Sequence, residues 1–429
     1  MLETLFRLRE HGTTVRTEVI AGISTFLTMA YIVFVNPSIL ATAGMDQGAV
    51  FVATCLAAAF GTLLMGLAAN YPIALAPGMG LNAYFTYTVV GTLGYSWQQA
   101  LAAVFCSGIL FVLLSLTRLR ERILDAFPRS LRQATAAGIG LFLGVIALVN
   151  AGVVVDHPAT LVGVGDLTRP PAILALVGFV LIAALHHRGI VGSTILGIVV
   201  VTLIGIPLGL ARYTGLVSLP PDPSSTMFAL DFSRVLEPET LIVILSLLFV
   251  DIFDTAGTLI GVAHQGGLLD AAGRLPRLRR ALLADSSATV FGALVGTSNT
   301  TSYIESAAGV AAGGRTGLTS VVTALLFLLA LFFSPLAGMI PTYATAGALL
   351  FVACALTRCL AEVDWSDATE YAPAVITAIA MPLTYSIATG IGLGFTTYSL
   401  LKLSTGRRAE LTSATVAISV AFCAKFAFG

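Results

Sequence analysis

Apolar runs of about twenty residues, the length a helix needs to cross a bilayer, recur along this chain from near residue 18 to its end, separated mostly by short polar joints. In order they cover residues 18–42, 50–69, 73–92, 97–116, 130–152, 171–186, 189–210, 240–263, 281–296, 298–313, 317–335, 341–357, 368–385 and 386–404. The pattern predicts an all-α polytopic membrane protein of fourteen spans. A further apolar stretch, Leu411 to Gly429, is either a fifteenth span or a helix lying at the interface. Seven spans (18–210) precede a long polar connection at 211–239, and seven (240–404) follow it. Equivalent spans then cross in opposite directions, which is the signature of an inverted repeat. Residues 1–17 form an N-terminal tail and 405–429 a C-terminal one. Local likeness between the halves is slight: span 5 enters through Phe127-Pro128 and continues Ala134 to Gly138, while span 12 enters through Ile340-Pro341 and continues Ala344 to Gly347.

Spans 3 and 10, the third of each half, are poor continuous helices. Residues 71–83 read YPIALAPGMGLNA, with Pro72, Pro77, Gly78 and Gly80 close together, and residues 296–306 read GTSNTTSYIES, a polar, β-favouring run. Backbone outside a helix is tolerated at membrane depth only where protein or a water-lined cavity satisfies it. Paired interruptions at matching places in two repeats point to a transport site. Each is expected to form a short extended segment followed by a half-helix, the two half-helix N-termini facing each other and offering backbone N–H groups to a ligand.

Composition excludes a water-soluble domain: 57% of the residues are hydrophobic and 10% charged, against about a quarter charged in ordinary soluble proteins. The 22 basic and 22 acidic residues balance, which gives no reason to expect nucleic acid. No small-residue cleavage site follows a short apolar core near the N-terminus, so a removed signal peptide is not expected. Cys55, Cys106, Cys354, Cys359 and Cys423 have neither metal-type spacing nor an extracellular pairing pattern and read as packing residues. The distribution of basic residues sets the orientation. With the N-terminus inside, Arg7, Arg9, Arg16, Arg118, Arg120, Arg122, Arg129, Arg132, Arg188, Arg274, Arg277, Arg279, Arg280, Arg315, Arg358, Lys402, Arg407 and Arg408 are cytoplasmic, 18 of the 22. Arg169, Arg212 and Arg234 lie outside and Lys425 is unassigned. A wrong span count would scramble this asymmetry.

Four carboxylates fall inside spans: Asp251 and Asp254 in span 8, Asp285 in span 9 and Glu305 in span 10. An acid at the bilayer centre costs roughly 2.5–3.5 kcal/mol on insertion scales, so it should face a cavity or a partner. Asp254 and Thr258 are four apart and share a helical face, with Asp251 one turn earlier on nearly the same side. For all four acids a second reading stays open, hydrogen bonding between helices, and it weighs most for Asp251 and Asp285. Burial disfavours the charged form, so a carboxylate here can hold a proton and donate it in a hydrogen bond. No basic residue falls in a mid-membrane position, which suits a neutral polar heterocycle better than an anion.

At these residues the chain resembles the AzgA-type guanine/hypoxanthine/adenine permeases of the nucleobase:cation symporter-2 (xanthine/uracil permease) superfamily, relatives of the bacterial uracil permeases and the nucleobase–ascorbate transporters. The resemblance covers nearly the whole chain and rests on Gly22 to Tyr31 (GISTFLTMAY), Asn36-Pro37, Ala76 to Ala83 (APGMGLNA), Phe249 to Leu259 (FVDIFDTAGTL) and Gly296 to Val310 (GTSNTTSYIESAAGV). It implies a core domain of spans 1–4 and 8–11, a gate domain of spans 5–7 and 12–14, and substrate held against spans 1, 3, 8 and 10. The superfamily's span 8 carboxylate falls on Asp254, with Thr258 where uracil permeases place a histidine, and its span 10 carboxylate falls on Glu305. Asn299 stands where a threonine is expected.

The function this implies is import of purine nucleobases (adenine, guanine or hypoxanthine) by proton symport, across a bacterial cytoplasmic membrane. Asp254 and Glu305 would bond the ring, with Thr25, Thr28, Asn82, Thr258, Ser302 and Ser306 completing the polar shell. Glu305, Asp254 or Asp251 would carry the coupled proton. No enzyme activity, cofactor or metal is expected; the partners are the purine, the lipid bilayer and, as an open alternative, a second copy through the gate domain. Two other classes remain. A same-fold anion carrier or channel would want basic or neutral half-helix sites. An intramembrane aspartyl protease is suggested by Gly163-Val164-Gly165-Asp166, a GxGD pattern, but the topology puts Asp166 in an external loop.

Overall fold

The computed structural model describes residues 2–117, 128–157, 160–270 and 274–428. Arg118, Arg120, Arg122 and Phe127, invoked above, lie outside these residues, as does the side chain of Lys425. The first half runs Val15–Ala41 (span 1), Gln47–Ala69 (span 2), span 3, then Trp97–Leu116, Arg129–Asn150, Pro170–His187 and Ser193–Gly205 (spans 4–7). The second runs Pro238–Gln265 and Leu278–Val295 (spans 8 and 9), span 10, Gly317–Met339 (span 11), Thr342–Thr357, Ala368–Thr384 and Ile387–Ser404 (spans 12–14). Among the described residues eight helices are long and apolar enough to cross a membrane. Spans 3 and 10 are interrupted, and spans 7 and 13 have 13 and 17 residues. The C-terminal segment is a helix over Ser413–Phe428. Its 16 residues rise about 24 Å, short of the ~30 Å hydrocarbon core. It packs on span 14, where Ser399 and Ser419 hydroxyls are 2.7 Å apart.

Spans 3 and 10 break where their residues demand it. Leu75–Pro77 forms strand β1, followed by helix from Met79 to Thr92; Thr300–Ser302 forms strand β4, followed by a short helix over Ser306–Ala311. Between them in sequence, Val154–His157 and Leu161–Val164 make an antiparallel hairpin, β2 and β3, in the loop after span 5. β1 and β4 pair antiparallel, Leu75 opposite Ser302, Ala76 opposite Thr301, Pro77 opposite Thr300. Opposed strands are what an inverted repeat requires of equivalent segments. The match extends to atoms. Gly78 N–H donates to the Asn299 carbonyl and Tyr303 N–H to the Ala74 carbonyl, both at 2.9 Å, and a shift of 225 residues exchanges one bond for the other. Backbone left over from the ladder is met from spans 2 and 9. Thr62 Oγ1 lies 2.8 Å from Leu75 N and 3.0 Å from its carbonyl oxygen, and Thr289 Oγ1 treats Thr300 alike at 3.2 and 3.1 Å. One hydroxyl on each flank satisfies the broken backbone that lipid could not.

Span 1 is also jointed, as helices Val15–Met29 and Ile32–Ala41 meeting at Ala30 and Tyr31. Its N-terminal end is tied to span 11 by a wholly buried acid: the Glu18 carboxylate accepts from the backbone N–H of Arg315, Thr316 and Thr319 and from the Thr319 hydroxyl at 2.6 Å. Helix N-termini leave such N–H groups unpaired, so Glu18 acts as a cap supplied from another span. The five cysteines are free.

The chain forms two compact units. One comprises residues 1–116 and 150–348, the other 117–149 and 349–429. Spans 6 and 7 fall in the first, a partition that differs from the 5–7 and 12–14 grouping implied by resemblance. In the second unit, glycines on span 14 bring it against span 13: a Cβ at Gly394 would stand 1.9 Å from Thr377 Oγ1.

Candidate functional site

Both strands of the break belong to the first unit, and around them stand the four acids. Span 8 is a 28-residue helix with Asp254 in its middle. The Asp254 side chain is exposed to open space, while Asp251 one turn earlier is 1% exposed. Beside Asp254, a Cβ added at Gly257 would meet nothing within 4 Å, so this stripe of span 8 lines an open volume rather than a helix contact. Glu305, half-buried, stands at the start of the span 10 half-helix. Tyr31, at the joint of span 1, donates its hydroxyl to Glu305 Oε1 at 2.5 Å. Thr301 on β4 donates to Asp254 Oδ2 at 3.4 Å, and Asp254 and Glu305 are within electrostatic reach of each other. None of the ion pairs among the described residues involves these acids.

The polar residues expected around the site come together, with different commitments. Thr28 Oγ1 lies 2.8 Å from the Thr25 carbonyl and 3.3 Å from that of Glu305. Thr25 is buried with its hydroxyl unpartnered, pressed towards Gly309 of the span 10 half-helix. Asn82 accepts from Ser298 and has its Nδ2 unpartnered. Thr258 is buried one turn beyond Asp254. Two hydroxyls are occupied in holding the break: Ser306 Oγ accepts from Ala74 N–H at 2.9 Å, and Ser302 Oγ donates to Asp285 Oδ1 at 2.9 Å. Asp251 faces away from the open volume, receiving Asn299 Nδ2 at 2.9 Å. Tyr31 and Thr301 were not singled out from the sequence. Each becomes visible only through a partner far along the chain; a tyrosine ending a membrane helix carries no local mark.

A family model described as Permease family (Xan_ur_permease) matches residues 16–393. The chain belongs to that permease family. Among its relatives, the adenine permease AdeP of Escherichia coli (strain K12) is 50% identical over 428 residues, covering 100% of this chain and 96% of AdeP. The guanine/hypoxanthine permease PbuG of Bacillus subtilis (strain 168) is 44% identical over 439 residues, covering all of both chains. Of solved structures, the transmembrane domain of the cyanobacterial bicarbonate transporter BicA aligns with a TM-score of 0.65 at 16% identity, over 88% of this chain and 96% of that one. SLC26A9 aligns at 0.64 and 13%, over 91% and 66%. At such identities the likeness is one of fold, the two-domain inverted-repeat transporter fold. The permease is thus a transporter and not an enzyme, and the GxGD aspartate agrees: Asp166 sits on an exposed turn after β3, 3.3 Å from Arg169.

Proposed function

We propose that this permease imports purine nucleobases by proton symport. The observation that carries the reading is that Asp254 and Glu305, within electrostatic reach of each other beside the broken spans, both keep accessible surface, with no basic side chain among the described residues paired to either. Carboxylates accept hydrogen bonds from ring N–H and exocyclic amino groups, which purines present in quantity. Relatives named as adenine and as guanine/hypoxanthine permeases, matched along their full length, support the same substrate class. Thr25, Thr28 and Asn82, two of them with unpartnered polar atoms, complete the shell beside Thr258 and the backbone of spans 3 and 10. One of the intramembrane carboxylates carries the coupled proton. Movement of a core domain against a gate domain exposes the site to each side in turn, in a cytoplasmic membrane with the N-terminus inside, the orientation favoured by the arginine distribution. The anion-carrier alternative has the fold in its favour and the two open carboxylates against it.

The test is uptake of radiolabelled adenine, guanine, hypoxanthine, xanthine and uracil into cells lacking their own permeases, with and without a protonophore. Purine uptake that collapses with the proton gradient is the expected result. No uptake of any base by protein present in the membrane would discard the assignment.

A further inference from the structure

Behind β4, on the side away from the open volume, two more acids meet. Asp251 of span 8 and Asp285 of span 9 are 1% and 0% exposed and lie within electrostatic reach of each other. One oxygen of each is satisfied. Asp251 Oδ2 receives Asn299 Nδ2 and lies 3.1 Å from Thr289 Oγ1, and Asp285 Oδ1 receives Ser302 Oγ. The other oxygens, Asp251 Oδ1 and Asp285 Oδ2, are buried and lack a well-aligned bond, as do Asn299 Oδ1 and the hydroxyl of Thr255, the span 8 donor that acts on Asp285. The Thr255 hydroxyl is the donor at Asp285, which leaves Asp251 Oδ1 and Asn299 Oδ1 calling for a donor or a cation; two buried carboxylates within electrostatic reach, with no ion-pair partner among the described residues, cannot both stay ionised uncompensated. Asp254, on the same helix as Asp251, is the further charged group within reach of both, and it adds to the negative charge.

We propose that Asp251, Asp285 and Asn299 form a monovalent-cation site, distinct from the substrate site, that takes one proton or one Na+ as the coupling ion. The inference deepens the coupled-transport reading and rests on it. A single such cation leaves the pair with one negative charge and supplies the bond that Asp251 Oδ1 lacks. The link to substrate runs through β4. Successive strand residues face opposite sides: the Thr301 side chain reaches Asp254 at the open volume, while that of Thr300 lies against Gly292 of span 9 and that of Ser302 reaches Asp285 behind it. Occupancy of the rear site therefore sets the strand whose front face meets the substrate carboxylate.

Infrared spectra of the purified full-length permease in lipid vesicles test this directly. A protonated carboxyl gives a C=O stretch that shifts in D2O. The expected band is present at neutral pH without substrate, is lost in both Asp251→Asn and Asp285→Asn, and moves in Ser302→Ala, which removes a hydrogen bond without removing an acid. If the occupant is Na+, the band is absent in Na+ buffer and appears in its absence, and saturable 22Na+ binding is lost in the same two variants. Glu305→Gln, which should end purine uptake, leaves the band in place, so failure of the purine reading and failure of the cation site are separable. A wild-type protein with neither the band nor 22Na+ binding overturns the proposal, and so does a band that survives both Asp variants.

Discussion

The Tyr31 hydroxyl donates to Glu305 Oε1 at 2.5 Å, joining the hinge of span 1 to the head of the span 10 half-helix. A hydrogen bond to a carboxylate is worth about 1.5–3 kcal/mol, so Tyr31→Phe should lower purine uptake efficiency roughly ten- to hundred-fold. Initial uptake rates over a range of purine concentrations, normalised to membrane protein, measure it. An unchanged efficiency would mean that Glu305 is held without Tyr31.

Asp254 makes one contact, the 3.4 Å bond from Thr301, and otherwise faces open space. Its loss should hurt transport and spare the fold. Asp254→Asn is expected to abolish uptake while changing stability by no more than about 0.5 kcal/mol, the range of substitutions away from packed features. Uptake assays paired with thermal unfolding in detergent separate the two effects, and normal uptake would remove Asp254 from the site.

Thr62 and Thr289 hold equivalent strands in the two halves. Replacing either by valine keeps the shape and leaves a buried backbone N–H and carbonyl unmet, at about 1–3 kcal/mol. Thr62→Val and Thr289→Val should lower the unfolding midpoint by similar amounts, and serine at either position should restore it. A large drop for one alone would show that the two flanks are not equivalent in energy.

How these features read from the sequence depends on range. Pro72, Pro77, Gly78 and Gly80 advertise the break in span 3, and the run from Thr297 to Ser306 that in span 10, because those residue types disfavour helix wherever they stand. That the segments are strands, and paired to each other, was expected only in part. Extension is local, but the register of Leu75 on Ser302 depends on residues more than two hundred apart. Asp254 and Glu305 stood out as acids in apolar helices. That Asp254 opens onto free volume while Asp251, three residues earlier, is sealed against Asn299 follows from the angle of span 8 against spans 9 and 10, which periodicity alone does not fix. The Glu18 cap has no mark in the sequence, because an acid in the first turn of a helix ordinarily serves its own N-terminus.

Gly257 and Gly317 should respond oppositely to alanine. A Cβ at Gly317 would stand 1.9 Å from the Gly66 carbonyl oxygen, whereas one at Gly257 meets nothing within 4 Å. Gly317→Ala is expected to prevent accumulation of folded protein, since backbone cannot yield as a side chain can. Gly257→Ala should raise stability by about 0.5–1 kcal/mol, the helical preference of alanine over glycine. Gly257→Leu, which fills the volume beside Asp254, should fold and lose uptake. Membrane abundance, unfolding midpoints and uptake for the three variants test the set.

At the end of the second unit Asp367, Lys402, Arg407 and Glu410 form an ion-pair cluster, with Lys402 Nζ 2.6 Å from Glu370 and 2.7 Å from Glu410. The Arg407 guanidinium, donating to Asp367, holds that carboxyl well below the usual range, helped by Thr369; Arg407 and then Lys402 lower that of Glu410. A carboxyl whose folded-state value is depressed contributes stability that is fully present above its unfolded value, about 3.9 for Asp and 4.3 for Glu, and is lost as pH falls through the folded one. The contribution is therefore intact at neutral pH and disappears on the acid side. Arg407→Gln should unfold at a lower temperature than wild type at pH 7, and the gap should narrow as pH drops below about 4. Unfolding midpoints across that range measure it. A gap that stays constant would mean that Arg407 stabilises this end of the unit by packing rather than by charge.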